Sequence, residues 1–129
     1  MKKFKFISLD QAIYLHELSI KNFGGRSGIR DYGLLNSAIN LPQTTFLGKY
    51  LYKDIFEMAC AYAFHLIKNH PFVDGNKRVG VLGAIIFFEI NGYKVNFTNE
   101  ELVDFGLAIA CSKINKTEIV RIFKNKIQN

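Results

Sequence analysis

The chain has 129 residues, of which 49% are hydrophobic and 14% aromatic, and it carries a formal net charge of +6. This length fits a single domain over residues 1–129, and the apolar content supplies a core, which excludes a wholly disordered chain. The positive charge favours an anionic partner, but it does not distinguish a nucleotide, a nucleic acid and an acidic protein.

No segment of the sequence predicts a membrane span or a secretory signal. The most apolar run, residues 79–90, is far shorter than the roughly 20 residues that a spanning helix needs. The basic N-terminus is followed by acidic and polar residues and not by the apolar stretch of a signal peptide. We therefore expect a soluble, cytoplasmic protein with no membrane partner.

Four residues of types that often carry chemistry are interpreted here as structural. Cys60 and Cys111 lie in apolar stretches without metal-ligand spacing, and we expect both to be buried, reduced thiols. His16 and His65 lie on predicted helices among apolar residues, where a histidine more often belongs to the core than to a site.

The first half of the chain predicts three helices. A capping box at residues 8–11, Ser-x-x-Gln, opens a helix that ends near Phe23. A glycine-rich segment, residues 24–30, follows, and it is either a mobile flap or an ordinary helix–helix turn. A short helix ends before Pro42, and a long helix covers residues 53–69, where apolar side chains recur at helical spacing.

The second half predicts a buried helix, a short strand and two more helices. The helix over residues 76–91 is apolar on all sides and should be central to the domain. Residues 95–97 predict a strand that pairs with residues 3–6, and capping patterns at 98–101 and 115–118 open the last two helices. The expected fold class is mainly α, a compact helical bundle with at most a short β ribbon.

The segment His70–Arg78 places positive charge where a helix disfavours it. Lys77 and Arg78 fall in the first turn of a helix, where the helix dipole opposes cations by about 0.3–1 kcal/mol. A bound phosphate would resolve this conflict by accepting hydrogen bonds from the free N–H groups of that turn. Gly75 lets the backbone approach such a ligand closely. Gly75, Asn76, Lys77 and Arg78 are therefore the predicted phosphate-binding residues.

The same segment contains a candidate metal ligand and a candidate base. Asp74 offers hard oxygen atoms that suit Mg²⁺ bridging protein and phosphate. His70, across the loop, can act as a general base near neutral pH. Lys68 precedes the loop and could also reach the phosphates, although a helix C-terminus favours lysine in any case. A base, a metal ligand and an anion site close together are what phosphoryl-type transfer requires.

Each of these residues also has a purely structural interpretation. Asp74 could cap the following helix or pair with Arg78 one turn on, and Asn76 could only hold the turn. His70 could be an ordinary loop histidine, and the two cations of the first turn could extend into solvent. That all of these residues are purely structural, although they stand together within nine positions, is a weaker explanation than a functional site.

The segment His-Pro-Phe-x-Asp-Gly-Asn-Lys-Arg, residues 70–78, is similar to the signature of the Fic/DOC family. The similarity is greatest to its death-on-curing (Doc) branch, the toxins of bacterial toxin–antitoxin pairs. The resemblance covers most of the chain and includes Gly24-Gly25, Gly28, Asp31-x-Gly33-Leu34-Leu35, the helix before the motif and Phe87–Gly92 after it.

The resemblance implies a role for each residue of the motif. The histidine at His70 would deprotonate a target hydroxyl, and the acid at Asp74 would hold Mg²⁺. The Gly75–Asn76 loop and Arg78 would hold the phosphates of ATP. Members of the family that transfer AMP usually have glycine where this chain has Lys77. Members with Asn-Lys-Arg resemble protein kinases that bind ATP in the reversed sense and pass on its terminal phosphate.

The function expected from the motif and the resemblance is a toxin-type protein phosphotransferase. It would move the terminal phosphate of ATP to a hydroxyl of a target protein, which the resemblance implies to be elongation factor Tu, and so inhibit translation. A cognate antitoxin that lays a helix in an apolar groove is the other implied partner. The alternative is a Fic-type AMP transferase.

Two function classes outside the family remain as weaker alternatives. A basic nucleic-acid-binding module or ribonuclease toxin would suit the charge, but the sequence has no nucleic-acid-binding motif and its unusual residues cluster at one phosphate-sized site. A catalytically silent binding protein is disfavoured because the base, the metal ligand and the anion-binding residues are all present.

Overall fold

The computed structural model describes residues 3–128 of the chain. Along these residues the elements are α1 (Leu9–Phe23), α2 (Tyr32–Asn40), a 3-10 turn (Leu41–Gln43), β1 (Thr45–Phe46), β2 (Lys49–Tyr50), α3 (Ile55–Lys68), α4 (Asn76–Ile90), β3 (Lys94–Val95), α5 (Asn99–Ala110), α6 (Lys116–Lys126) and β4 (Ile127–Gln128). The expected mainly α fold class is confirmed. No helix of the described part is both long and apolar enough to cross a bilayer.

Five of the six α-helices begin at a side chain that caps them. Ser8, Thr98 and Asn115 each form a reciprocal capping box with the residue three positions on, as their spacing predicts. An aspartate directly before α2 and another before α3 accept from backbone N–H groups of the first turn. In the described chain only α4 differs, because its N-cap is Gly75, which has no side chain to accept a hydrogen bond.

The core surrounds α4, which packs most extensively against α3 and also contacts α1 and α5. Among the described residues, the five largest fully buried side chains are all aromatic: Tyr62, Phe72, Phe87, Phe88 and Phe123. The α3–α4 contact depends on Gly80, because a Cβ atom there would lie 2.6 Å from Cγ1 of Ile67. This contact matters for the site, because α3 ends and α4 begins at the segment between residues 68 and 76.

The prediction that residues 3–6 pair with the strand near Val95 is wrong. β3 pairs instead with β4 in an antiparallel ribbon. The backbone of Lys5 bonds to the side chain of Asn91, donating to Oδ1 at 2.9 Å and accepting from Nδ2 at 2.8 Å. A side-chain amide thus takes the hydrogen bonds that a partner strand would have made. A second ribbon, β1 with β2, was not predicted.

Three of the four residues interpreted as structural lie away from solvent. His16 and Cys60 are buried and His65 is half-buried, whereas Cys111 is exposed, so the expectation of two buried cysteines is wrong for Cys111. Cys111 is the C-cap residue of α5, where the chain leaves the helix at the surface. Burial raises the pKa of Cys60 to about 11, which keeps this thiol protonated at neutral pH.

Candidate active site

His70 lies directly after α3 at the start of residues 70–75, which we call the motif loop. The residue is exposed, and its φ of +51° lies in the left-handed region that residues with a side chain rarely occupy. Pro71 disfavours helical geometry at the residue before it and so ends the helix. Arg30 donates from Nε to the carbonyl of His70 at 2.6 Å and from Nη2 to the carbonyl of Asn69 at 3.0 Å. This guanidinium therefore fixes the backbone that carries the imidazole.

The glycine-rich segment, residues 24–30, runs alongside the motif loop. Ile29 and Phe72 form an isolated antiparallel bridge, and the N–H of Val73 donates to the carbonyl of Gly28 at 3.0 Å. The glycine-rich segment is therefore hydrogen-bonded to the motif loop and forms part of the site, and its movement as a flap stays a prediction.

Asp74 is exposed, and its carboxylate accepts two backbone hydrogen bonds. Oδ1 accepts from the N–H of Gly75 at 2.9 Å, and Oδ2 accepts from the N–H of Arg26 at 3.0 Å. The bonds from Arg26 and Gly75 lower the pKa of Asp74 below its ordinary value, so the group is ionised at neutral pH. A Cβ at Gly25 would lie 2.9 Å from Oδ2, so the close approach requires glycine there.

Neither structural alternative for Asp74 matches the arrangement. The N-cap of α4 is Gly75, one residue later, and it carries no side-chain cap. The guanidinium of Arg78 bonds to Asn99 and, among the described residues, forms no ion pair with Asp74. The carboxylate is therefore held in place by backbone N–H groups, and the charges of Arg26 and Lys77 act on it without forming an ion pair among the described residues.

The chemistry of the site fits a magnesium ion that is bound together with phosphate. The described residues contain no cluster of three or more His, Cys, Asp or Glu side chains that could form a metal cage. Mg²⁺ is commonly held by one or two carboxylates, while substrate phosphates and water complete its octahedral shell. Asp74, ionised and exposed beside the α4 N-terminus, offers that single carboxylate.

The N-terminus of α4 is arranged for an anion. It starts at Gly75 in the left-handed conformation, φ +79°, without a side-chain cap and without an acidic residue in its first turn. The N–H groups that open a helix need an acceptor, and Lys77 and Arg78 add positive charge to the positive end of the dipole. A phosphate would satisfy both the N–H groups and the charges.

Asn76 shapes the motif loop with its side chain. The residue is buried, its Oδ1 accepts from the N–H of Phe72 at 2.9 Å, and its Nδ2 donates to the carbonyl of Phe72 at 3.0 Å. Both ends of the amide are therefore used by the loop backbone. The amide nitrogen keeps a second hydrogen, and the backbone N–H of Asn76 stands at the first position of α4.

Arg78 is held in place while Lys77 is exposed. The Cζ atom of Arg78 lies 3.8 Å from the ring centroid of Phe23, and Nη1 donates to Oδ1 of Asn99 at 3.0 Å. A guanidinium that is already ordered loses less entropy when it binds phosphate. Lys77 packs its backbone against α5 at Gly106, where a Cβ would lie 3.0 Å from the Lys77 carbonyl oxygen.

A cleft of about 360 Å³ lies over the start of α4. Residues 74–78 line one side and the α5 residues Leu102, Val103 and Leu107 line the other. The structure therefore brings together five of the predicted site residues, with His70 at the start of the same loop. The volume falls within the range of roughly 300–1,000 Å³ that is usual for small-molecule sites.

Lys68 is the predicted phosphate-binding residue that the structure does not bring to this cleft. Its Nζ donates to the carbonyl of Ala110 at 3.2 Å and to the hydroxyl of Ser112. The ammonium is thus bound at the C-terminal end of α5, where the negative end of the helix dipole favours a cation.

His16 contacts the motif loop from α1, and the sequence did not reveal this contact. Its Nε2 donates to the carbonyl of Asp74 at 2.7 Å, and its ring stacks on Phe72 with centroids 3.8 Å apart and planes 5° apart. A structural role was expected, but no local pattern could connect α1 with a loop 58 residues later. Arg30 was also missed as the residue that holds His70.

Comparison with known proteins places this site in a family. The chain matches the model of the Fic/DOC family over residues 6–88, which include the motif loop and the first turn of α4. It is 42% identical over 73 residues to a protein named Toxin Doc from Mycolicibacterium smegmatis, an alignment that covers 57% of this chain and 56% of that protein. It is also 30% identical over 115 residues to Protein kinase doc of Escherichia phage P1, covering 89% of this chain and 90% of the relative.

The share of the chain that aligns with these proteins decides whether the chain can be assigned to the family. The chain spans about half the length of the mycobacterial relative, but it aligns with the phage relative along nearly the full length of both chains. The family model also covers well over half of the chain and contains every residue of the motif. This chain belongs to the Fic/DOC family.

Proposed function

We propose that the chain is a Doc-type transferase that moves the terminal phosphate of ATP onto a hydroxyl of another protein. The observation that carries this proposal is the uncapped, cationic start of α4 directly after the short loop that begins with His70. The N–H groups and Arg78 provide an anion site, and Asp74 provides the carboxylate for a metal ion. His70 is exposed, so it can meet a hydroxyl on the surface of a protein.

The residues of the site divide the work of phosphoryl transfer. His70 accepts the proton of the target hydroxyl, and the hydroxyl oxygen forms a bond to the γ phosphorus. The bond from that phosphorus to the β–γ bridging oxygen breaks, and ADP leaves. The N–H groups of α4 and the guanidinium of Arg78 stabilise the negative charge on the phosphates. Asp74 would hold Mg²⁺, which neutralises phosphate charge when it is bound.

Lys77 favours transfer of the terminal phosphate over transfer of AMP. Its side chain lines the cleft, and its charge contributes to the lowered pKa of Asp74, so the two groups are within electrostatic reach. AMP transfer requires the β and γ phosphates to lie deep in the anion site, and a lysine occupies volume there. The relative named Protein kinase doc also supports transfer of the terminal phosphate. Transfer of AMP is the outcome that would replace this proposal.

The target and the inhibitor of the proposed enzyme follow from the resemblance to Doc proteins. We infer that the target is elongation factor Tu in the cytoplasm and that its modification stops translation. The relative named Toxin Doc supports a cognate antitoxin. Exposed apolar side chains on α1 (Tyr14, Leu18) and on α5 (Val103, Leu107) offer a surface on which an antitoxin helix could pack.

The test uses purified elongation factor Tu, ATP labelled at the γ phosphate, Mg²⁺ and either the wild-type chain or the His70→Ala variant. We expect label on the factor with the wild-type chain and almost none with the variant. A bacterial lysate serves as a second source of targets. If no protein in either sample becomes labelled, and if expression of the chain alone does not slow bacterial growth, the proposal fails.

A further inference from the structure

A second cleft lies at the opposite end of α3 from His70. Two adjoining cavities of about 360 and 570 Å³ share the lining residues Tyr52, Lys53, Asp54 and Lys124, and we call them together the lysine cleft. Asp54 caps the start of α3, whereas His70 follows its end. A helix of 14 residues is about 20 Å long, so the lysine cleft is well separated from the motif loop.

The lysine cleft has an excess of positive charge. It is lined by four lysines and only two carboxylates, namely Lys49, Lys53, Lys116, Lys124, Asp54 and Glu57. Both carboxylates have partners, because Asp54 accepts from the N–H of Glu57 at 2.9 Å and Glu57 pairs with Lys53 at 3.5 Å. The other three lysines form no ion pair within the described residues. Lys116 and Lys124 instead place their ammonium groups over the rings of Phe64 and Phe56, contacts that leave both charges without a counter-ion.

The spacing of these lysines suits an extended chain. Lys116 opens α6 and Lys124 lies in its last turn, which separates their backbones by about 12 Å along the axis. An extended peptide covers this distance in about four residues, so acidic side chains along one segment can reach both lysines.

The floor of the lysine cleft favours a peptide over a nucleic acid. It is aromatic and is formed by Phe4, Tyr50, Tyr52, Phe56 and Tyr93. The Nζ of Lys124 lies 5.3 Å from the centroid of Phe56, and Phe56 packs on Tyr93 in a T-shaped arrangement. Single-stranded nucleic acids bind by stacking bases on open ring faces, whereas four of these five rings, all but that of Tyr52, pack in tilted or T-shaped pairs with each other. Apolar side chains between acidic ones suit such a floor.

We propose that the lysine cleft is a docking site for an extended, acidic segment of a partner protein. Acidic side chains of that segment contact Lys49, Lys116 and Lys124, and its apolar side chains pack on the aromatic floor. The inference does not depend on the transfer reaction, because docking needs none of the residues of the motif loop. It gives the protein a means of holding a partner at one end of α3 while the other end meets a hydroxyl.

The probe is a fluorescently labelled synthetic peptide in which glutamate alternates with leucine or phenylalanine, titrated with the full chain by fluorescence anisotropy. We expect saturable binding, at least about tenfold weakening by Lys116→Glu and by Lys124→Glu, and less than about twofold weakening by Arg121→Glu. Arg121 is the matched control because it is exposed on the same helix and does not line the cleft. Glutamate at position 116 is favoured by the helix dipole, so this variant should remain folded.

Three results would overturn the proposal. One is the absence of saturable peptide binding by the wild-type chain. Another is equal weakening by Arg121→Glu and Lys124→Glu, which would mean that net charge alone attracts the peptide. The third is tighter binding of a single-stranded RNA than of the peptide, with the same dependence on Lys124, which would make the cleft a nucleic-acid site. His70→Ala should bind the peptide as the wild-type chain does, so a failure of the transfer proposal is seen separately.

Discussion

Gly80 is the residue at which the packing of α3 on α4 can be tested most sharply. The perturbation is Gly80→Ala, with Gly83→Ala as the matched control one turn later on the same helix. A Cβ at Gly80 would lie 2.6 Å from Cγ1 of Ile67 and 3.2 Å from the carbonyl oxygen of Ala63. A Cβ at Gly83 would meet only Cδ1 of Leu66, at 3.3 Å.

Two opposing effects set the size of the change. Alanine is more favourable than glycine inside a helix by about 1 kcal/mol, whereas overpacking of a core costs about 1–3 kcal/mol. At Gly80 the crowded atoms include the α3 backbone, which cannot rotate aside, so the cost should lie in the upper part of this range, about 2–3 kcal/mol. We therefore expect a net loss of about 1–2 kcal/mol and a fall in Tm of about 3–10 °C. At Gly83 a terminal methyl group can shift, so stability should stay level or rise by up to about 1 kcal/mol.

The assay is urea unfolding followed by far-ultraviolet circular dichroism, with the midpoints compared at equal slope. The two substitutions should change the free energy of unfolding in different directions or by clearly different amounts. Gly80→Ala that is as stable as the wild-type chain would refute the close α3–α4 contact. Equal destabilisation by Gly83→Ala would refute the distinction between a backbone obstacle and a mobile methyl group.

The remaining predictions concern the motif loop. His70→Ala should slow transfer by about 10²–10⁴ and leave Tm unchanged because the side chain is exposed; near-normal transfer would remove His70 as the base. Asp74→Asn should weaken the binding of MgATP measured by calorimetry, but it should not weaken the binding of ATP measured with a chelator that removes Mg²⁺. Equal weakening under both conditions would contradict the role of Asp74 as a metal ligand. The pKa of Asp74 is lowered in the fold. Any stability that ionised Asp74 contributes is therefore present at neutral pH and is lost as the pH falls through that lowered value. The Tm difference between wild type and Asp74→Asn should accordingly shrink in acid. His16→Phe keeps a ring against Phe72 but removes the N–H that bonds to the Asp74 carbonyl, a loss of about 0.5–1.5 kcal/mol. The transfer rate of the His16→Phe variant should fall at least about tenfold, whereas His65→Phe should have little effect. Equal transfer rates of the two variants would mean that His16 serves only in the core.

Local patterns in the sequence predicted most of the helices. Reciprocal caps at Ser8, Thr98 and Asn115 identify helix starts because each satisfies N–H groups within four residues of itself. The unusual start of α4 was predictable for the opposite reason, since cations stand in the first turn and Gly75 offers no cap. These signals are short-range, so one sequence is enough to read them.

Contacts between distant residues could not be read in the same way. The β3–β4 ribbon joins residues more than 30 positions apart in strands of only two residues, too short for a periodic pattern. The hydrogen bond from His16 to the Asp74 carbonyl and the one from Lys68 to the end of α5 depend on how helices pack. Cys111 was misjudged because its apolar neighbours belong to a helix that ends at that residue.

The group that we expect to be transferred is the terminal phosphate of ATP. The most direct test follows the α phosphate and the γ phosphate of ATP in separate reactions. Two reactions contain the chain, elongation factor Tu and Mg²⁺, one with ATP labelled at the α phosphate and one with ATP labelled at the γ phosphate. We expect label on the factor from the γ position only, with a mass gain equal to one phosphate. Label from the α position, with a mass gain equal to AMP, would contradict this expectation, because Lys77 would then fail to exclude the outer phosphates from the anion site.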